Sequence, residues 1–153
     1  MSAFVSESNV MLECPATTVD EALAALAEKA VSAGFADDAA ALVDAFKARE
    51  AEGTTGLMGG FAIPHAKSDA IREAGVLVAR FPAGVSWSSM DGKPITCAIA
   101  LLTPASQAGT THLQLLSRVA VMLMDESVRD QLSAASDAAE IARLLNEALE
   151  KNA

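Results

Sequence analysis

The chain has 153 residues, 52% of them hydrophobic, a formal net charge of −9 and a pI near 4.6. That length and composition lead us to expect one domain spanning residues 1–153 with a sizeable core, larger than a small disulfide scaffold builds. Only 11 Lys and Arg, spread along the whole chain, argue against a nucleic-acid partner, which needs clustered cations to neutralise phosphates. Cys14 and Cys97 lie far apart in apolar surroundings and read as buried, reduced thiols. The N-terminus has neither a basic nor an apolar leader pattern, and no stretch approaches the roughly 18 apolar residues of a membrane span. A cytoplasmic protein with no direct membrane insertion is expected. The initiating Met and the polar end, Glu150 to Ala153, fit a complete small protein.

In chain order, Val10 to Glu13 reads as a short extended segment ended by Cys14-Pro15. Thr18 followed by Glu21 is a capping-box pattern opening a helix whose apolar positions, Val19, Leu23, Leu26, Ala27, Ala30 and Val31, recur at three- and four-residue steps, and Gly34 closes it. A second helix is expected from Asp37 through Leu42, Val43 and Phe46, running out near Arg49 to Glu52. Phe61 to Ile63 reads as a brief buried strand, and Pro64 biases Ile63 toward extended backbone, so the chain is expected to leave the strand as His65 appears. A turn is expected over Lys67 to Ile71.

Gly75 opens the apolar run Val76 to Phe81, expected to end at Pro82, and Ile95 to Leu102 is a second one, ended by Thr103-Pro104. Runs with little polar alternation suit strands buried on both faces. Thr111 and Gln114 suggest another capping box and a helix through Leu116, Val119 and Leu123; shorter and longer helices follow from about Glu126 and from Asp137. The fold class expected is α/β, a single small mixed β-sheet covered by helices. The methionines, among them Met58, Met90, Met122 and Met124, read as core fillers and loop contacts, and Trp87 as a partly buried core residue.

Two histidines carry the candidate chemistry. A neutral imidazole nitrogen can attack phosphorus or accept a proton near neutral pH. His65 is followed by small Ala66, which permits close approach, and by Lys67 and Ser68, which can stabilise negative charge beside the ring. His112 falls on the first turn of its helix, where the dipole disfavours an extra positive charge, so a neutral ring could donate to an anion there. Arg49 could supply a guanidinium fork for a phosphoryl group. A solvated Arg49, a surface His112 and a strand-end His65 satisfied by backbone are the competing structural readings. No phosphate-loop, dinucleotide or nucleophile-elbow motif occurs, and two histidines alone would under-ligate a metal, so no cofactor and no metal are expected.

Taken together, Gly60-Phe61-Ala62-Ile63-Pro64-His65-Ala66-Lys67, the preceding Arg49-Glu50, Trp87 with Asp91-Gly92-Lys93-Pro94, the strand into Leu101-Leu102-Thr103-Pro104, and His112-Leu113-Gln114-Leu115-Leu116 resemble a known family over nearly the whole chain. It is the enzyme IIA domain of the fructose/mannitol class of the bacterial phosphoenolpyruvate-dependent sugar phosphotransferase system. Phe61, where the family often has another aliphatic residue, and Ala66, where it often has glycine, are mild departures. The resemblance implies the type-2 enzyme IIA fold and a phosphocarrier in which His65, through Nε2, accepts a phosphoryl group from the carrier HPr and passes it to a cysteine of a cognate IIB domain. Sugar is then phosphorylated during uptake through the membrane permease IIC, with fructose preferred. It also implies that His112 and Arg49 line the site. The alternative it leaves is a nitrogen-related regulatory enzyme IIA that signals by its phosphorylation state.

Overall fold

The computed structural model describes residues 5–107 and 110–151, with the side chains of 107, 110–113 and 151 outside that description. Five strands, β1 (Val10–Met11), β2 (Phe61–Ala62), β3 (His65–Ser68), β4 (Gly75–Val85) and β5 (Ile95–Pro104), form one mixed sheet. β1 lies parallel on β4, β4 antiparallel on β5, and both β2 and β3 parallel on β5. The helices are α1 (Val19–Ser32), α2 (Ala39–Ala51), α3 (Thr110–Leu123), α4 (Glu126–Ala134) and α5 (Ala138–Lys151).

Strand alternation divides the core in two. Leu77, Ala79 and Phe81 of β4, with Ala98, Ala100 and Leu102 of β5, pack with Leu23, Leu26, Leu42 and Phe46 of α1 and α2. Val76 and Val78, with Cys97, Ile99 and Leu101, face the opposite way and pack with Val119, Met122, Leu132, Ile141, Leu145 and Leu149 of α3 to α5. Two helical layers therefore cover one sheet, which is why β4 and β5 read as unbroken apolar runs. Cys14 and Cys97 are both buried and free, and burial pushes the Cys97 thiol up to about 12.

Local signals explain several boundaries. Thr18 Oγ1 accepts the Glu21 amide at 3.2 Å while the Glu21 carboxylate accepts the Thr18 amide at 3.3 Å, the reciprocal capping box. At the other end of α1 the Gly34 amide donates to Val31 and the Phe35 amide to Ala30, with Gly34 at φ +86, a Schellman closure. The second helix is capped by Asp38, whose side chain accepts the Ala41 amide; the expected Asp37 instead pairs with Arg72. α3 begins at Thr110, so Thr111 stands inside its first turn rather than at its cap.

Pro82 does not end β4. The ladder with β5 shifts register between Arg80 and Val85, and a proline sits there without costing a sheet hydrogen bond. Arg80, the polar residue in that apolar run, donates to the carbonyls of Leu132, Ser133 and Ala135 at 3.3, 3.3 and 2.6 Å, satisfying the C-terminal end of α4. Of the four methionines named above only Met122 is a core residue; Met90 and Met124 are 68% and 74% exposed.

Candidate functional site

His65 opens β3, where the sequence suggested a departure into a loop. Phe61 and Ala62 pair with Cys97 and Ala98, then His65 to Ser68 pair with Leu101 to Pro104 in unchanged register, so β2 and β3 are one line interrupted at Ile63-Pro64. Pro64 has no amide to give the ladder, yet its carbonyl accepts the Leu101 amide at 2.9 Å and keeps the line on β5. Lys67 and Ser68, expected in a turn, complete β3; the turn follows at Asp69-Ala70.

Register also sets direction. His65 lies opposite Leu101, which packs with α3 to α5, whereas Ala66 lies opposite Leu102, which packs with α1 and α2. His65 therefore projects from the α3 side of the sheet, and it is 5% exposed. Lys67 shares that face and is exposed. Ser68 projects from the other face, and its hydroxyl accepts the Ala70 amide at 3.1 Å. α3 starts shortly after β5 ends at Pro104, so the backbone of His112, in the first turn of α3, lies at the same end of the sheet as β3. The His112 side chain is outside the described residues.

Arg49 comes from the opposite layer. It lies in the last turn of α2, which packs on β3 from the α1 side, and its Nη1 donates to the Gly53 carbonyl at 2.8 Å. Arg49 and His112 thus come from helices on opposite layers of the sheet, of which α2 packs on β3.

The residue that sequence reasoning left without a role is Glu50. Its Oε1 accepts the Thr55 amide at 3.1 Å and the Trp87 indole N–H at 3.1 Å, and its Oε2 accepts the Thr55 hydroxyl. Thr55 and Trp87 are both buried. Segment 55–57 then lies along the outer edge of β2: the Leu57 amide donates to Phe61, the Ile63 amide donates to Thr55, and Gly56 bridges Ala62. Gly56 is required because a Cβ there would fall 2.1 Å from the Ser88 carbonyl oxygen. The adjacency of Glu50 to Arg49 in a singled-out pair was the one available signal. The bond to Trp87 spans 37 positions and no local pattern reveals it.

A second clamp holds the turn before β2. The Asp91 carboxylate accepts the Gly59 and Lys93 amides at 2.9 and 3.1 Å, which, with the Gly59 bond leading, holds its carboxyl below the usual aspartate value. Among the described residues no group of three His, Cys, Asp or Glu side chains comes together to hold a metal ion. Among them, too, no helix is long and apolar enough to cross a membrane.

A buried imidazole at the head of β3, with the helix that carries Arg49 packed on that strand, is an arrangement that could handle an anionic group. Residues 3–148 match the family model described as phosphoenolpyruvate-dependent sugar phosphotransferase system, EIIA 2. The chain is 40% identical over 92% of its length, and 91% of the relative's, to a PTS system fructose-specific EIIA component from Haloferax volcanii. It spans 20% and 18% of the length of two longer curated relatives that are named EIIABC components. Among solved structures, nitrogen regulatory protein IIA-Ntr from Neisseria meningitidis superposes with a TM-score of 0.82 at 26% identity, covering 93% of this chain and 96% of that one. The complex of enzyme IIA mannitol and phosphorylated enzyme IIB mannitol from Escherichia coli gives 0.77 at 24% identity, covering 92% and 96%, a likeness of fold. The chain belongs to the type-2 EIIA family of the phosphoenolpyruvate-dependent sugar phosphotransferase system and is a phosphotransferase component of it.

Proposed function

We propose that His65 is the phosphoryl carrier of this chain, loaded by phospho-HPr and discharged to a cysteine of a cognate IIB domain, with sugar phosphorylated as it enters through IIC. The observation that carries the reading is the seat of His65: first residue of β3, in register with Leu101, 5% exposed and oriented by the sheet. Burial restricts the ring, and both of its nitrogens are enclosed, so a donor's phosphoryl group reaches Nε2 only after a local shift of the ring or of what covers it.

In the first step the lone pair of Nε2 attacks phosphorus, the P–N bond of the donor phosphohistidine breaks, and the electron pair returns to the donor imidazole. In the second a IIB thiolate attacks the same phosphorus, the P–N bond on His65 breaks and a P–S bond forms. Such transfers ask the protein for positioning and charge stabilisation, with no general base, because the neutral imidazole already has a lone pair. Arg49 and His112 are the groups we assign to the phosphoryl oxygens. Lys67, on the face of His65, adds positive charge nearby, and Ser68 acts through its turn with Ala70. The acidic chain favours encounter with a donor that has a basic face. The name of the Haloferax relative supports fructose as the sugar.

A regulatory role is the second reading, favoured by the likeness to the Neisseria nitrogen regulatory protein. Incubation with phosphoenolpyruvate, enzyme I, HPr and membranes carrying candidate IIB and IIC domains separates the two. Formation of sugar phosphate, dependent on His65, is the expected result; phosphorylation that stops at the protein with every sugar supplied would establish the regulator instead.

A further inference from the structure

The geometry points to Glu50 as a positioning residue for His65, acting through the backbone of segment 55–57. This rests on the reading of His65 as the phosphoryl carrier. The carboxylate gathers three donors from two distant places: the amide and hydroxyl of Thr55, and the indole N–H of Trp87. The carboxylate is acceptor-only and takes all three, two on Oε1 and the hydroxyl on Oε2. Charge-assisted bonds of this kind are among the stronger ones, and here both partners are buried.

What they fix is specific. Thr55 O accepts the Ile63 amide at 3.1 Å, two residues before His65, on the side of the chain away from β5. On the β5 side the Pro64 carbonyl accepts the Leu101 amide. Ile63-Pro64 is the one place where the line of β2 and β3 leaves regular pairing, because proline has no amide, so its path depends on these two bonds. One belongs to the sheet. The other is made by a loop segment that Glu50 pins to α2 on one side and to Trp87 on the other.

The same helix turn that carries Glu50 also carries Arg49, whose bond to Gly53 O closes the start of that loop. Arg49 and Glu50 therefore hold the loop at Gly53 and at Thr55, and the loop holds Ile63. The path of the backbone into His65 is set along this chain of bonds. A displacement of the attacking imidazole by about 1 Å can cost on the order of a hundredfold in rate. Glu50 touches neither donor nor phosphoryl group in this account; its effect is on where His65 stands.

The test compares wild type with E50A, E50Q and, as a destabilised control in α5, which carries none of the Glu50 bonds, L145A. Two readouts are taken: the steady-state rate of phosphoryl transfer from phospho-HPr, and the ring Cε1–H signal of His65 by NMR. E50A is expected to lower the maximal rate by about tenfold to a hundredfold with the KM for phospho-HPr nearly unchanged. Its His65 signal is expected to shift or split. E50Q, which keeps an acceptor oxygen toward Trp87 and Thr55, is expected to recover most of the rate and a single signal, and L145A to keep both. A wild-type rate and an unmoved ring signal in E50A would overturn the assignment, as would a loss in E50A no greater than in L145A at matched thermal stability, or no recovery in E50Q. If E50A does not fold, W87F, which removes one of the three donors, replaces it: a reduced maximal rate with a shifted His65 signal supports the role, and wild-type values overturn it. If wild type takes no phosphate at all, the phosphocarrier reading fails, and the ring signals alone still decide whether Glu50 sets the position of His65.

Discussion

His65 stands directly opposite Leu101 in the parallel ladder of β3 on β5, and both side chains leave the sheet on the face covered by α3 to α5. The neighbour of His65 on the adjacent strand is therefore a fully buried leucine of the core under α3 to α5.

Leu101→Ala should lower the free energy of unfolding by about 2–5 kcal/mol, the range for truncating a buried leucine whose surroundings relax only in part. Urea or thermal unfolding reads it. A loss under about 1 kcal/mol would contradict the packing of Leu101 between the sheet and α3 to α5.

Arg49→Ala should separate stability from transfer. The guanidinium is half-exposed and makes one bond, to Gly53 O, so its removal should cost about 1 kcal/mol or less of stability. Phosphoryl transfer to His65 should fall by about a hundredfold, as when one stabilising donor is removed from a developing charge. Arg49→Lys should fall between, since it keeps the charge and loses the fork. Equal transfer rates in all three would remove Arg49 from the site.

Cys97 gives an alkaline signature. Folded, the thiol keeps its proton up to about 12, against an ordinary value of 9.0, because burial disfavours the thiolate. Below pH 9 both folded and unfolded forms are protonated and the group contributes no pH dependence. Between 9 and 12 only the unfolded form releases the proton, so stability falls as pH rises, by up to about 1.4 kcal/mol per pH unit from this group. Urea unfolding from pH 8 to 10.5 should show a steeper decline in wild type than in Cys97→Ala. Parallel curves would mean that Cys97 is not buried as described.

Much of this architecture is written locally in the chain. The box at Thr18 and Glu21, the glycine closure at Gly34 and the unbroken apolar runs of β4 and β5 each depend on residues within a turn or strand of one another, and the fold class follows from them. The boundaries that shifted have tertiary causes. Asp37 was a plausible cap, but its pairing with Arg72 leaves Asp38 in that place. Pro82 reads as a strand end until the register shift that accommodates it is seen, and His65 reads as a strand exit because Pro64 hides the parallel ladder resuming on β5.

The site was legible in part for the same reason. His65 stood out by its glycine-to-proline approach and its small neighbours, and Arg49 by its place in a last helical turn. Glu50 was hidden because its partners, Thr55 and Trp87, are brought to it only by the fold. The exposure of Met90 and Met124 was likewise invisible, since a methionine fits a core or a surface equally well in sequence.

The most direct test of the central claim is the phosphate itself. The purified chain is incubated with phosphoenolpyruvate, enzyme I and HPr, and the modified residue is mapped by mass spectrometry with acid and base lability. One phosphate on His65, labile in acid, stable in base and lost in His65→Ala with the fold intact, is the predicted result. An intact HPr donor that leaves His65 unmodified, or a phosphate on any other residue, would contradict it.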